Sequence, residues 1–327
     1  MPERVIAVVG PTAAGKSELA LGLALALGGE VINADSMQLY AGMDIGTAKL
    51  SPAQRRGVPH HLLDIWDVRQ AASVATYQRL AREVIAAVHA RGRVPVLAGG
   101  SGLYLRAALD NLEFPGTDPA VRDRLETELA AAGPGALHAR LAALDPAAAA
   151  AILPSNGRRI VRALEVIEVA GRPFAATAPR YESRYPVVQI GLRVGRDELD
   201  RRIAERTARM WREGLVAEVA ALERAGLREG RTASRALGYA QVLRCLAGEY
   251  DEDEARAQTI LATRRFARRQ QAWFRRDPRV IWLDAGAGDT DSLLGRALAA
   301  CGAPVGAPVP VPGREAGPGE AQSHKLS

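Results

Sequence analysis

Cysteine is nearly absent: two residues in 327, Cys245 and Cys301, neither in a CxxC pair. That excludes a disulfide scaffold and a thiolate metal cluster, and it fits a reducing compartment such as the cytoplasm. Long apolar runs are missing too. The longest, Leu19 to Leu27, is about half of the roughly 18 residues a membrane span needs. It follows Glu18 and a Gly-rich loop rather than a basic leader, so neither a membrane anchor nor a signal peptide is expected. No internal repeat, RNP-like aromatic motif or zinc knuckle is visible. Lysine is scarce: of 43 basic residues only Lys16, Lys49 and Lys325 are lysines. The bias fits codon usage, yet it singles out the surviving lysines, because ammonium and guanidinium groups bind phosphate differently. What remains is an ordinary globular composition, 48% hydrophobic and 24% charged. The length suggests about two domains at roughly 150 residues each. A net charge of +6 permits a polyanionic partner.

Residues 4–9, 30–34 and 94–98 are short apolar runs that predict buried strands, and helical patterns over 15–27 and 74–91 alternate with them. Such alternation implies a parallel sheet covered on both faces. After Phe114-Pro115-Gly116 the texture becomes Ala-rich and helical, and strand texture returns at Pro186. We therefore expect a helical insertion at 115–185 within an α/β core formed by 1–114 and 186–301. Helices are expected from Asp197 to Phe274, then a strand near Val280 to Leu283 and a last helix to Ala300. Residues 302–327, rich in Gly and Pro, are expected to be a disordered tail.

Gly10, Pro11, Thr12, Ala13, Ala14, Gly15, Lys16 and Ser17 match G-x-x-x-x-G-K-[ST] in full, between an apolar strand and a helix. Glycines let backbone N–H groups wrap a phosphate. The helix N-terminus adds positive potential. Lys16 supplies a compact charge, and the Ser17 hydroxyl can ligate Mg²⁺. The loop recognises a diphosphate or triphosphate, not a base. The fold expected is thus a P-loop NTPase-like α/β core with helices on both faces. Phosphate-loop ATPases and kinases usually hold Mg²⁺ with an Asp at a strand end. Here the 94–98 strand runs into Gly99-Gly100-Ser101 instead, with no acid. A small-molecule kinase using ATP stays open as the alternative.

Asp35 follows the second strand, at the carboxyl edge where open α/β sheets bind ligands. It is either a general base or metal-shell ligand, or the cap of a local turn through Ser36; spacing alone does not separate these. Ser101, at the end of the third strand, is a phosphate donor or a helix N-cap. Thr47 and Lys49 lie in a polar loop of open role. His60-His61 lack a suitably spaced third ligand, which favours a structural or RNA-contacting role over zinc. Eight arginines against one acid, Asp277, crowd residues 255–279. Arg264, Arg265, Arg268, Arg269, Arg275 and Arg276 recur at near-helical spacing, opposed mostly by Ile260, Phe266, Ala267, Trp273 and Phe274. One face would dock in the core and the other follow a nucleic-acid backbone. Arg158, Arg159 and Arg162 form a second basic cluster. Arg202, Arg206 and Arg209 share one helix pattern, and any of them could neutralise a departing diphosphate.

Taken in order, these motifs resemble the tRNA dimethylallyltransferase (tRNA isopentenyltransferase) family. The matching stretches are 10–17, Asp-Ser-Met-Gln-Leu-Tyr at 35–40, Gly-Met-Asp-Ile-Gly-Thr-Ala-Lys at 42–49 and Pro-His-His-Leu at 59–62. They continue with Gly-Gly-Ser-Gly-Leu-Tyr at 99–104, Arg-Arg-Ile-Val-Arg-Ala-Leu-Glu-Val at 158–166, Gly-Tyr at 238–239 and the run from Thr263 to Arg275. The resemblance implies transfer of a dimethylallyl group from its diphosphate to N6 of the adenosine 3′ of the anticodon. It implies a monomeric cytoplasmic enzyme whose partners are the tRNA anticodon stem-loop and dimethylallyl diphosphate, with Mg²⁺ as cofactor. By the same resemblance Asp35 is the base, with Ser101 and Arg206 beside it as catalytic residues, Arg206 on the diphosphate. Thr12 to Ser17 hold the diphosphate. Asp35, Ser36, Met37, Gln38 and Ser101 contact the target nucleotide, as do Arg159, Ile160, Val161, Arg162 and Ala163, and Ala240 to Cys245. Three departures stand out: Ser101 where the family has Thr, Arg268 where Lys is frequent, and Ser155-Asn156-Gly157 in place of Pro-Asn-Asp.

Overall fold

The computed structural model describes residues 4–174, 181–286 and 290–302. Its centre is β1 (Val5–Val9), a run of five fully buried apolar residues. Side chains alternate across a strand, so Ile6 and Val8 enter one apolar layer while Val5, Ala7 and Val9 enter the other. Both faces are therefore covered, as a continuous apolar strand demands. The first layer is closed by α1 (Lys16–Leu27), the second by α2 (Val74–Ala90) and α3 (Gly102–Leu109).

Six parallel strands make one sheet: β1, β2 (Glu30–Asn33), β3 (His60–His61), β4 (Pro95–Ala98), β5 (Val187–Arg193) and β6 (Val280–Asp284), in the order β3-β2-β4-β1-β5-β6. Parallel pairing brings Val8 opposite Ala98 and Asn33 opposite Ala98. The loops after β1, β2 and β4 consequently open on one edge, which is what gathers Gly10–Ser17, Asp35 and Ser101. The expected strands are all present. The addition is β3, two residues too short to show a period. It is tied to β2 by backbone pairing and by His61 Nε2 to Glu30 Oε2 at 2.6 Å. Arg91 also holds Glu30, at 2.6 Å. His60 Nδ1 lies 2.9 Å from the Val58 carbonyl. Both histidines are thus engaged structurally, and no group of three metal-ligating side chains occurs among the described residues.

The remaining helices of this unit are α7 (Arg196–Arg212), α8 (Leu215–Arg224), α9 (Tyr239–Leu246), α10 (Glu252–Phe274) and α11 (Thr290–Ala300). No helix among the described residues is long and apolar enough to cross a membrane. The segment expected as a disordered tail falls, after Gly302, outside the described residues.

A second compact unit, residues 110–184, is helical, where the sequence predicts an insertion at 115–185. It holds α4 (Pro119–Leu144), α5 (Pro146–Ala151) and α6 (Gly157–Ala170). Asp118, Asp145 and Asn156 cap the three helices through side-chain oxygens. Gly133 at φ 76°, followed by Pro134, breaks α4. Leu125, Leu141, Ile160, Ala163 and Leu164 form its apolar core. The Glu165 carboxylate is fully buried there. Burial alone would raise its pKa, but the Arg122 and Arg162 guanidiniums overcome that and hold it below the usual carboxylate range.

Candidate functional site

The phosphate loop is shaped by conformations that few side chains tolerate. Gly10 sits at φ 139°, and a Cβ there would lie 2.9 Å from the Leu192 carbonyl oxygen. Gly15, at φ 91°, hands the chain to α1. Ala13 takes a left-handed φ of 62° without a glycine's freedom. Lys16 Nζ donates to the Pro11 carbonyl at 2.7 Å, so the lysine folds back over its own loop. Ser17 is exposed at the start of α1.

Asp35 stands opposite, just past β2. Its Oδ1 accepts from the Met37 amide at 2.9 Å, a local turn that fixes the carboxylate. Asn33 holds the same turn from below: its Oδ1 accepts from the Asp35 amide at 2.8 Å, and its Nδ2 donates to the Leu62 carbonyl at 2.9 Å. Turn-forming and chemistry are therefore compatible, since one carboxylate oxygen builds the turn and the other is left for the cavity. Ser101 points at the same loop. Its Oγ accepts from the Ser36 amide at 3.2 Å and lies 3.2 Å from Ser36 Oγ, rather than capping α3.

Of the three arginines on α7, all of which line the cavity described below, Arg206 is the one bonded to the phosphate loop. Its Nη1 donates to Thr12 Oγ1 at 2.9 Å and its Nη2 to the Thr47 carbonyl at 3.3 Å. Arg202 is occupied by Glu198 at 2.6 Å and by the Gly286 carbonyl at 3.0 Å. Arg209 is exposed, with Glu213 3.9 Å away. A cavity of about 370 Å³ is lined by Thr12 to Ser17, Asp35, Gln38, Thr47, Gly99 and Arg206, among others. Burial pushes the Lys16 pKa down to about 8, partly countered by the Asp35 charge and deepened by Arg206. Burial likewise lowers that of Arg206, again offset by Asp35. Two cations are held near one carboxylate in a half-buried cleft, an arrangement that suits an incoming polyanion.

Two structural ties were not legible as such. Gln270 of α10 accepts from the Thr12 amide at 2.9 Å and donates to the Gly100 carbonyl at 2.9 Å, joining the phosphate loop to the loop after β4. The glycines at 99–102 exist for close approach. A Cβ on Gly99 would lie 2.2 Å from the Ala34 carbonyl oxygen, one on Gly100 2.1 Å from Gln270 Nε2, and one on Gly102 2.1 Å from Trp273 Nε1. We predict that Gly99→Ala, whose new methyl meets backbone rather than a movable side chain, destabilises the fold by about 1–3 kcal/mol. The midpoint of denaturant unfolding measures it, and an unshifted midpoint would refute the close-approach account. The second tie is Lys49. Its ammonium donates to the Tyr40 carbonyl at 3.0 Å and to Asp44 at 2.6 Å and also pairs with Asp64, so it anchors the 42–49 loop.

The basic residues divide. On α10, Arg265, Arg268 and Arg269 are exposed, as are Arg275 and Arg276 just beyond it, whereas Arg264 is half-buried and reaches Asp200 at 3.6 Å. Trp273, expected on the core face, is 42% exposed. In the insertion Ile160, Val161 and Ala163, expected among the tRNA-contacting residues, have their side chains sunk in the core. Arg162 is consumed by the Pro115 carbonyl at 2.7 Å and by Glu165 at 2.7 Å. Arg159, with Arg158 beside it, is left exposed. In α9, Val242 and Leu243 are buried, so the stretch 240–245 cannot offer all its side chains to a ligand.

Comparison with known proteins bears on all of this. The model of the family described as IPP transferase matches residues 38–277. A tRNA dimethylallyltransferase of Streptomyces coelicolor is 70% identical over 302 residues, covering 92% of this chain and 97% of its own. The crystal structure of a tRNA isopentenylpyrophosphate transferase from Bacillus halodurans is 42% identical, covers 90% of this chain and 94% of that one, and superposes with a TM-score of 0.68. A eukaryotic dimethylallyltransferase acting on tRNA, at 23% identity, covers 94% of this chain and 81% of its own and shares the fold with a TM-score of 0.79.

Proposed function

The chain belongs to the IPP transferase family and is an enzyme that prenylates tRNA, and from that premise we propose how its residues perform the transfer. The phosphate loop, Thr12 to Ser17, holds the diphosphate of dimethylallyl diphosphate, with Lys16 and Arg206 on its oxygens. The target adenosine, the one 3′ of the anticodon, is turned out of its loop into the cavity beside Asp35. Its N6 lone pair attacks C1 of the allyl group, the C1–O bond breaks, and diphosphate leaves. The N6 proton passes to the Asp35 carboxylate. Ser36, Gln38 and Ser101 line the nucleotide's side of the same turn.

Three effects divide the work. Holding amine and carbon in line supplies several kcal/mol, at roughly the scale of other pre-oriented reactions. Neutralising the leaving group is the largest contribution, because Lys16 and Arg206 act where water is partly excluded. Proton removal by Asp35 adds about 10²–10⁴-fold. Mg²⁺ fits the Ser17 hydroxyl, a hard oxygen ligand on the cavity. Bound there, by Ser17 first, it would neutralise further diphosphate charge. All these side chains come from one chain, so the reading requires no second copy.

The observation that carries it is the convergence of Lys16, Arg206 and Asp35 on one cleft, with no acid at the end of β4. The kinase alternative finds no support in that arrangement or in the family. Incubation with labelled dimethylallyl diphosphate, unmodified tRNA and Mg²⁺, with an ATP arm in parallel, tests the reading. Label on tRNA is expected; phosphoryl transfer from ATP with no labelled tRNA would overturn it. On the RNA side, the exposed Arg265, Arg268 and Arg269 fit phosphates and Trp273 fits base stacking. Substituting Arg268 and Arg269 together by Ala should weaken tRNA binding and flatten the log Kd against log salt slope by about 1–2. An unchanged slope would assign both to solvent alone.

A further inference from the structure

One carboxylate governs the loop on which Arg206 leans. Glu218, in the first turn of α8, accepts from the backbone amides of Asp44 at 3.2 Å, Ile45 at 2.7 Å and Gly46 at 3.3 Å. It also accepts from the Tyr239 hydroxyl at 2.5 Å. Tyr239 is fully buried, and its ring lies where a Cβ on Gly46 would be, 2.4 Å away. Gly46 is thus glycine because the tyrosine occupies the space. The next residue is Thr47, whose carbonyl takes the Arg206 Nη2 and, at 3.1 Å, the Gln38 amide. Thr47 is itself pinned, its hydroxyl donating to the Met43 carbonyl at 2.6 Å.

We propose that the Glu218–Tyr239 pair is a positioning device for the reaction: it fixes the Gly46-Thr47 backbone, and through the Thr47 carbonyl it sets where the Arg206 guanidinium meets the leaving diphosphate. Neither residue lines the cavity, so the pair acts on it through the loop rather than from within it. Three amides converging on one carboxylate need an acceptor-only group. Gln at 218 keeps one acceptor oxygen, so it would turn an N–H₂ either toward the Asp44 and Ile45 amides or toward the Gly46 amide and the Tyr239 hydroxyl, and that half of the clamp would lose its acceptor. The Tyr239 hydroxyl stays a donor at all working pH, because burial and the Glu218 charge raise its pKa. Lys49 holds the loop from its other side, so loss of the clamp should displace the loop locally rather than melt it.

The inference rests on Arg206 acting at the diphosphate, and a double-mutant cycle separates the two claims. Glu218→Gln should lower kcat/KM for the prenyl diphosphate about tenfold, with tRNA affinity unchanged. In an Arg206→Ala background the same change should have almost no further effect, since the group it positions is gone. If Arg206→Ala is itself without effect, the diphosphate reading of Arg206 fails. If Arg206→Ala is damaging but the two losses multiply independently, the clamp does not act through Arg206 and the proposal is overturned. Tyr239→Phe, which keeps the ring and removes one hydrogen bond, should give a smaller loss masked by Arg206→Ala in the same way. It carries the test should Glu218→Gln not fold. Glu218→Asp, an acceptor one methylene shorter, should recover part of the rate, whereas a purely volumetric role for Glu218 predicts that Gln is the better substitute.

Discussion

Asp35→Asn is expected to lower kcat by about 10²–10⁴-fold, the usual worth of a positioned general base. The substitution is chosen for what it leaves alone. The carboxylate Oδ1 accepts from the Met37 amide, and an asparagine side-chain oxygen can take the same bond. The turn therefore survives, along with the Asn33 contacts beneath it. What is lost is a group able to accept the N6 proton and the negative charge that faces Lys16 and Arg206. The effect should appear in single-turnover rates with tRNA prebound, because the affinity for tRNA rests largely on phosphate contacts elsewhere. Asp35→Ala should show the same loss of rate plus some loss of stability, since it also opens the turn. A rate for Asp35→Asn within threefold of the parent would remove Asp35 as base and leave it the role of a turn cap.

How far the sequence reaches can be followed through such residues. The strand before the phosphate loop, the loop and the following helix were legible because each obeys a local rule: a buried apolar run, glycines at left-handed positions, a helix start. Asp35 and Ser101 could be placed at one edge because parallel strands share polarity. The choice of Arg206 over Arg202 and Arg209 was legible only through the family resemblance, not from spacing. All three recur on α7 at helical spacing, and in the structure the tertiary approach of Thr12 to the helix distinguishes Arg206. Gln270 carried no signal at all, being one amide among arginines, yet it bridges two site loops. The Gly99–Gly102 run was visible as glycine but not for its cause, which is close approach of Ala34, Gln270 and Trp273. In the insertion, the basic motif mixed exposed and buried positions. Helical period alone could have assigned Ile160, Val161 and Ala163 to the core, since they fall on the face that Leu164 shares.

Lys16→Met should reduce prenyl-diphosphate affinity and turnover by about 10²–10³-fold, as removal of one preorganised charge-stabilising donor does elsewhere. The parent enzyme carries a further signature. Burial, reinforced by Arg206 and resisted by Asp35, holds the Lys16 pKa near 8 rather than its ordinary 10.5. Below about pH 8 the free enzyme has the ammonium ready for the diphosphate. Above it the amine is neutral, and binding must take up a proton, so affinity should fall as pH rises from 8 and calorimetry should detect proton uptake. Stability runs the other way. Between pH 8 and 10.5 the unfolded chain binds more protons at this lysine than the folded one. The free energy of unfolding should therefore climb across that window, the protonated lysine being a cost to the folded state at lower pH. Lys16→Met should abolish both trends at once: the alkaline fall in affinity and the Lys16 share of the alkaline gain in stability. It should also raise the denaturant midpoint at pH 7, the usual exchange of stability for a charged site. If diphosphate affinity and rate survive in Lys16→Met, the phosphate loop does not hold the prenyl donor. If affinity falls but its pH dependence persists, a group other than Lys16 is the one that titrates against the ligand.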